Sequence, residues 1–184
     1  MVSIVIFVFI NSVILVRHSQ FNAQILLTNV AYEVGLAVRE AQVYGLGVRD
    51  AGSGNFSASY GVHFEGGAGT LSSFQIFRDI PENSIDCTST SPGLSCYESN
   101  ELLENKQMNG GYTIADFCLI EGGATSCKST GALFADIVFT RPNPDAAIRS
   151  NTSVTWTSVV ITVASRENTT REVTVTNTGQ ISVQ

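Results

Sequence analysis

Four cysteines stand at two identical spacings, Cys87-x8-Cys96 and Cys118-x8-Cys127. Each pair brackets turn-forming residues, Pro92-Gly93 in the first and Gly122-Gly123 in the second. A chain that turns back on itself in this way can bring two Cα atoms to about 5.5 Å, the separation a disulfide uses. Four cysteines allow three pairings, and the two local ones are expected. Each would close a loop of about ten residues, contributing roughly 2–3 kcal/mol at most on the chain-entropy account. Structural zinc prefers cysteine pairs with two to four residues between them, and neither pair fits. An even cysteine count behind an apolar N-terminal segment points to disulfides in an oxidising compartment.

Other candidate chemistry is sparse. His18 adjoins the apolar N-terminal segment, and His63 sits in a strand on the side away from its apolar residues, where it reads as surface. No serine or cysteine has a base placed in a recognisable nucleophile motif. Gly45-x-Gly47 and Gly52-x-Gly54 lack the strand-then-helix context of a phosphate loop and read as linker glycines. Asp79, Glu82 and Asp86 could gather around calcium, but without the regular oxygen spacing of a calcium loop they read as a solvated loop. Asn55, Asn151 and Asn168 begin glycosylation sequons, common by chance in a chain rich in Ser, Thr and Asn. No catalytic residue, metal, cofactor or small-molecule substrate is expected.

The element that dominates the chain is its start. Residues 1–16 carry no charge, and their only polar members are Ser3, Asn11 and Ser12. Val2, Ile4, Val5, Ile6, Phe7, Val8, Phe9, Ile10, Val13, Ile14 and Leu15 read as a helix for a membrane or a filament core. At about 1.5 Å per residue the segment spans about 24 Å, short of the bilayer's hydrocarbon core of about 30 Å. No Lys or Arg precedes it and no small-residue cleavage site ends it, as a signal peptide would require. Arg17 alone would orient the rest of the chain toward the cytoplasm, and basic residues upstream would reverse that. These features lead to the expectation that the natural start lies upstream of Met1.

Helical periodicity continues, with no proline before Pro81 and no glycine before Gly35. At 100° per residue, Leu26, Val30, Val34, Ala37, Ala41 and Tyr44 share a broad apolar face with Leu27, Ala31 and Val38. Ile25, Tyr32, Leu36 and Val43 form a second, narrower stripe. Two polar lines separate them, one of them containing Gln24, Thr28, Arg39 and Gln42. A helix with two apolar faces has two things to bury against: its own head and a partner, or two layers of one fold. Gly45 and Gly47 end it. Such an element would run about 45 residues and near 70 Å, so part of it must protrude from a domain of this size.

Beyond the glycine-rich stretch 45–54 the period changes to two. Residues 56–64 alternate as a half-buried strand, with further strands expected at 74–77, 112–119, 133–140 and 154–165. Residues 172–176 and 180–183 form a terminal hairpin around Asn177-Thr178-Gly179. Arg141-Pro142-Asn143-Pro144-Asp145 is a turn or extended connection. The fold class is therefore α+β, with residues 1–47 as a long helix (1–16 the membrane or filament-core part, 17–47 the amphipathic part) packed on a head of antiparallel sheets at 48–184.

The 184 residues fit one domain with an appendage. Hydrophobic residues make up 43%, enough for a core, while charged residues are only 14%. A net charge of -6 argues against a general nucleic-acid binder. The polar surface is instead supplied by Ser, Thr, Asn and Gly, as exported proteins tend to have.

Met1-Val-Ser-Ile-Val-Ile-Phe-Val-Phe9 resembles the interior of a type IV pilin or pseudopilin N-terminal helix, just past the glutamate that family carries there. Residues 29–45, NVAYEVGLAVREAQVYG, are similar to the helix end of minor pseudopilins of the H type and of FimT-like pilins. Residues 171–183, REVTVTNTGQISV, are similar to their terminal hairpin. The basic leader, cleavage glycine and glutamate of the family are absent from this sequence. The resemblance implies a two-sheet head and a structural, non-enzymatic subunit of a type II secretion or type IV pilus-like filament. It implies an inner-membrane anchor with the head in the periplasm or outside the cell. Other pilins and the membrane assembly platform are the implied partners, and the stripe Ile25, Tyr32, Leu36 and Val43 the implied subunit contact. Some FimT-like relatives take up DNA through arginines near the C-terminus; Arg166 and Arg171 are the candidates here, each beside a glutamate, Glu167 or Glu172. A membrane-anchored extracytoplasmic binding or adhesin domain outside the pilin system is the other reading.

Overall fold

The computed structural model describes residues 2–47, 56, 58–80, 93–152 and 155–184, and within the long helix the side chains of 2–12 and 23–47. The protein is α+β, one N-terminal helix followed by two antiparallel sheets. Helix α1 runs Val2–Leu46, unbroken at Gly35 because the flanking residues are good helix formers. A glycine's cost is about 1 kcal/mol in a helix interior, which a long element absorbs.

The first sheet is built from β1 (Ser59–Glu65), β2 (Ser73–Asp79), β3 (Leu102–Gln107), β6 (Phe134–Phe139) and β7 (Ala146–Arg149), in the order β3-β2-β1-β6-β7. The second holds β4 (Thr113–Glu121), β5 (Ala124–Cys127), β8 (Ser158–Ala164), β9 (Thr170–Thr176) and β10 (Ile181–Val183), in the order β10-β9-β8-β4-β5. A bridge between Leu71 and Ile114 links the approach to β2 with β4. The period-two residues explain the division. Val62 and Phe64, Ile137 and Phe139, Phe117 and Leu119, and Val173 and Val175 all point into one core.

Leu27, Ala31, Val34, Ala37, Val38 and Ala41 of α1 belong to that same core. Their spacing of three and four residues makes one continuous face along the helix. The broad face expected from periodicity is trimmed at its start: Leu26 is exposed, although Ala37, about 20° from it round the helix, is buried. Small residues let the helix approach closely. A Cβ on Gly45 would meet the carbonyl oxygen of Phe139 at 2.5 Å, and one on Gly35 would meet Val183 at 3.3 Å.

Gln42, expected on a polar line, is buried instead. Its side-chain amide donates to the carbonyls of Pro144 and Gly179, each at 3.1 Å. It is satisfied there, which is what makes its burial tolerable. The terminal hairpin forms as expected, with Gly179 at φ +79° and the Thr176 amide donating to Gln180 at 3.0 Å.

Strands β3, β5 and β7 were not legible as period-two runs. β3, Leu-Leu-Glu-Asn-Lys-Gln, is an edge strand with mostly exposed side chains, so it carries little hydrophobic signal. Central strands β1 and β6 are buried on both faces except at Glu65. This overturns the surface reading of His63. The ring does face away from the apolar core, but residues 95–97 lie over that side and leave it 2% exposed.

Candidate functional site

Among the described residues, most of the exposed large apolar side chains lie along α1. Ile25, Tyr32, Leu36 and Val43 are 44%, 53%, 65% and 58% exposed. They occupy the side of the helix away from Leu27, Ala31, Val34, Val38 and Ala41, which are all but fully buried. Nearer the N-terminus, Val2, Ile4, Val5, Ile6, Phe7, Val8, Phe9 and Ile10 are between 51% and 73% exposed. The side chains of Val13, Ile14 and Leu15 lie outside the described residues. Asn11 returns its side-chain amide to the Phe7 carbonyl at 2.7 Å, covering a polar group within this apolar stretch. An apolar surface of this extent on a folded chain marks a contact with protein or lipid. Among the described residues no helix is long and apolar enough to cross a membrane.

Beside the helix a groove of about 300 Å³ opens toward edge strand β3. Val30, Val34, Ala37, Phe74 and Met108 are among its apolar lining residues, with Glu33, Glu40 and Lys106 also lining it. Lys106 pairs with Glu104 at 2.7 Å and Glu40 at 3.5 Å. Its amine is held above the ordinary 10.5, mainly by the hydrogen bond to Glu104.

Cys118 and Cys127 form a disulfide between directly opposed residues of β4 and β5. Cys96 is also disulfide-bonded and fully buried against Phe77 and Val138; Cys87 lies outside the described residues. Asp116 sits close enough to Cys118 and Cys127 to form a metal-like triad. Sulfurs joined to each other offer no thiolate, however, and the Asp116 carboxylate already accepts from the Ser129 hydroxyl at 2.6 Å. The triad is therefore not a metal centre in this oxidised form.

The remaining candidates disperse. Asp79 is completely buried rather than part of a solvated loop, and Glu82 and Asp86 lie outside the described residues. Arg171 reaches back to α1, its Nε donating to the Thr28 hydroxyl at 3.4 Å, and Arg166 lies over Gly111. Arg166 lies in the connection between β8 and β9, and Arg171 is within β9, opposite Val163. Asn151 is engaged by the Leu133 amide at 3.0 Å, Asn168 is exposed in a turn at φ 58°, and Asn55 lies outside the described residues. His18 has its side chain outside the described set.

The cluster that sequence reasoning missed surrounds His63. Cross-strand register places Gln75, His63, Asp136 and Arg149 in one row across β2, β1, β6 and β7. Asp136, fully buried, accepts from His63 Nδ1 at 2.6 Å, from the Ser95 hydroxyl at 2.9 Å and from the Cys96 amide at 2.7 Å. Glu65 accepts from Nε2 at 3.0 Å. The Ser95 hydroxyl also lies 3.4 Å from His63 Nδ1, its shorter bond being the one to Asp136. The available signal was an Asp at the residue of β6 opposite His63, which requires the strand pairing to be known. Comparison of the chain with protein-family models, with curated proteins and with solved structures gave no match.

Proposed function

We propose that this chain is a structural subunit, a minor pseudopilin or minor pilin, of a type II secretion or type IV pilus-like filament. The observation that carries the reading is the division of α1 into two apolar sides. One side is buried with the head, while Ile25, Tyr32, Leu36 and Val43 stay open and lead toward the exposed segment Val2–Ile10. In this reading the N-terminal half of the helix protrudes, sits in the inner membrane before assembly, and packs among neighbouring subunits afterwards. The head lies in the periplasm or outside the cell, where the disulfides of Cys118, Cys127 and Cys96 are stable. The partners are other pilins and the membrane assembly platform. The subunit does no chemistry and takes no cofactor.

The likeness of residues 1–9, 29–45 and 171–183 to that family supports the same reading. The DNA-uptake variant is disfavoured by the net charge of -6 and by the engagement of Arg171 with the helix. The test is the coding DNA upstream of Met1. An in-frame basic stretch ending in glycine and followed closely by glutamate supports a prepilin. A stop codon and ribosome-binding site directly before Met1 would refute it in favour of a membrane-anchored binding domain.

A further inference from the structure

We propose that the free edge of β3 pairs with the β3 of a second copy of this chain, antiparallel about a two-fold axis at Asn105. The inference is independent of the filament reading. β3 ends its sheet, and among the described residues no strand pairs with its other side. The Met108 amide donates to the Ser72 carbonyl at 2.8 Å, and Lys106 and Glu104 stand opposite Phe74 and Ile76. Main-chain groups of an antiparallel strand point alternately to either side, so those of Met108, Lys106 and Glu104 serve β2. Those of Asn105 and Gln107 point outward, from two exposed residues. An edge of this kind is a template for another strand.

Charge selects the occupant and its register. Phe74 and Ile76 are core residues, so Lys106 and Glu104 project on the helix side of the sheet, where Lys106 reaches Glu40 at 3.5 Å. With the axis at Asn105, Lys106 opposes the second copy's Glu104, and Glu104 opposes the second copy's Lys106. Opposite charges facing each other across strands are favourable, and like charges are not. Moving the axis one residue either way sets Glu104 against Glu104 or Lys106 against Lys106. Lysine on an edge strand usually blocks pairing. Here the glutamate two residues before it turns the same side chain into a match. Lys106 and Glu104 are 31% and 49% exposed, so both are open to a partner. The groove of about 300 Å³ between α1 and β3 lies on the same face and receives the second copy's side chains. So short a contact makes a weak, concentration-dependent dimer. The axis stands perpendicular to the sheet and turns one α1 end for end relative to the other. Paired copies therefore cannot also stand side by side with their helices parallel.

The experiment is analytical ultracentrifugation of the full chain in detergent across the micromolar range. The native chain should pass from monomer to dimer as concentration rises. Lys106→Glu and Glu104→Lys each set like charges across the axis, and each should weaken association by at least about tenfold. An equimolar mixture of the two variants matches every charge again and should recover the dimer. Among the described residues no cysteine is free, so Asn105→Cys should cross-link only to its own copy on oxidation. That cross-link should be lost when Glu104→Lys is added. A native chain that stays monomeric throughout the range overturns the proposal. So do dimers that survive in both single variants, as association through α1 would, or a mixture of the two that stays monomeric. If Lys106→Glu fails to fold, Glu104→Lys carries the test alone, and a dimer and cross-link retained in it overturn the proposal.

Discussion

Adding one methyl group at Gly45 tests whether the end of α1 is seated on the head as described. A Cβ there would stand 2.5 Å from the Phe139 carbonyl oxygen and 2.8 Å from the Phe139 Cβ, and neither can swing aside. Overpacking costs about 1–3 kcal/mol, and contacts this short with fixed backbone belong at the upper end. Alanine recovers about 1 kcal/mol of helix propensity. The net loss is about 2 kcal/mol, a fall in Tm of about 4–8 °C for a chain of this length. Gly35→Ala is the control on the same helix. Its Cβ would meet only methyl tips, Val183 Cγ2 at 3.3 Å and Ile181 Cγ2 at 3.7 Å, which can give way. Propensity then dominates, and stability should stay level or rise by up to about 1 kcal/mol. Circular dichroism melts of the full chain in detergent read both. If Gly45→Ala melts at or above the native chain, the helix end does not rest on β6 and the architecture drawn from it is wrong.

Leu36→Asp, on the open side of α1, should change stability by no more than about 0.5 kcal/mol yet abolish co-assembly in pull-downs with partner pilins. Val38→Asp should instead prevent folding, because its side chain is fully buried. Denatured, unreduced protein should show no free thiol on titration, and four reactive thiols would contradict the disulfides. Replacing Cys118 and Cys127 together by serine should cost at most about 2–3 kcal/mol and expose the turn at Gly122-Gly123 to proteases, leaving the helical signal intact. Phe117→Ala, at a fully buried position among both sheets and the helix, should cost about 3–5 kcal/mol by urea unfolding.

The helix was legible because its apolar residues recur at three and four, with no proline and a single glycine before its last turn. Strands β1, β2, β4, β6, β8, β9 and β10 were legible where period two or a run of β-branched residues coincided with turn glycines. β3, β5 and β7 were not: each is a short edge strand without a run of β-branched residues, whereas β10, also at an edge, was marked by the hairpin turn at Gly179. The same limit hid the cluster around His63. His63 and Asp136 are 73 positions apart, and only the pairing of β1 with β6 joins them. Periodicity reported the ring's direction correctly but could not know that residues 95–97 would roof it. Gln42 was misplaced for a related reason: its two acceptors, Pro144 and Gly179, come from distant loops.

That last contact has a consequence for synthesis. Gln42 and Gly179 are separated by 137 positions, and β10 supplies the methyl groups that meet Gly35. The ribosome therefore makes the helix first and its seat last. Throughout elongation the line from Leu27 to Ala41 has no finished surface to rest on, at a translation rate of about 5–20 residues per second. For those seconds the nascent chain displays both greasy sides of the helix at once.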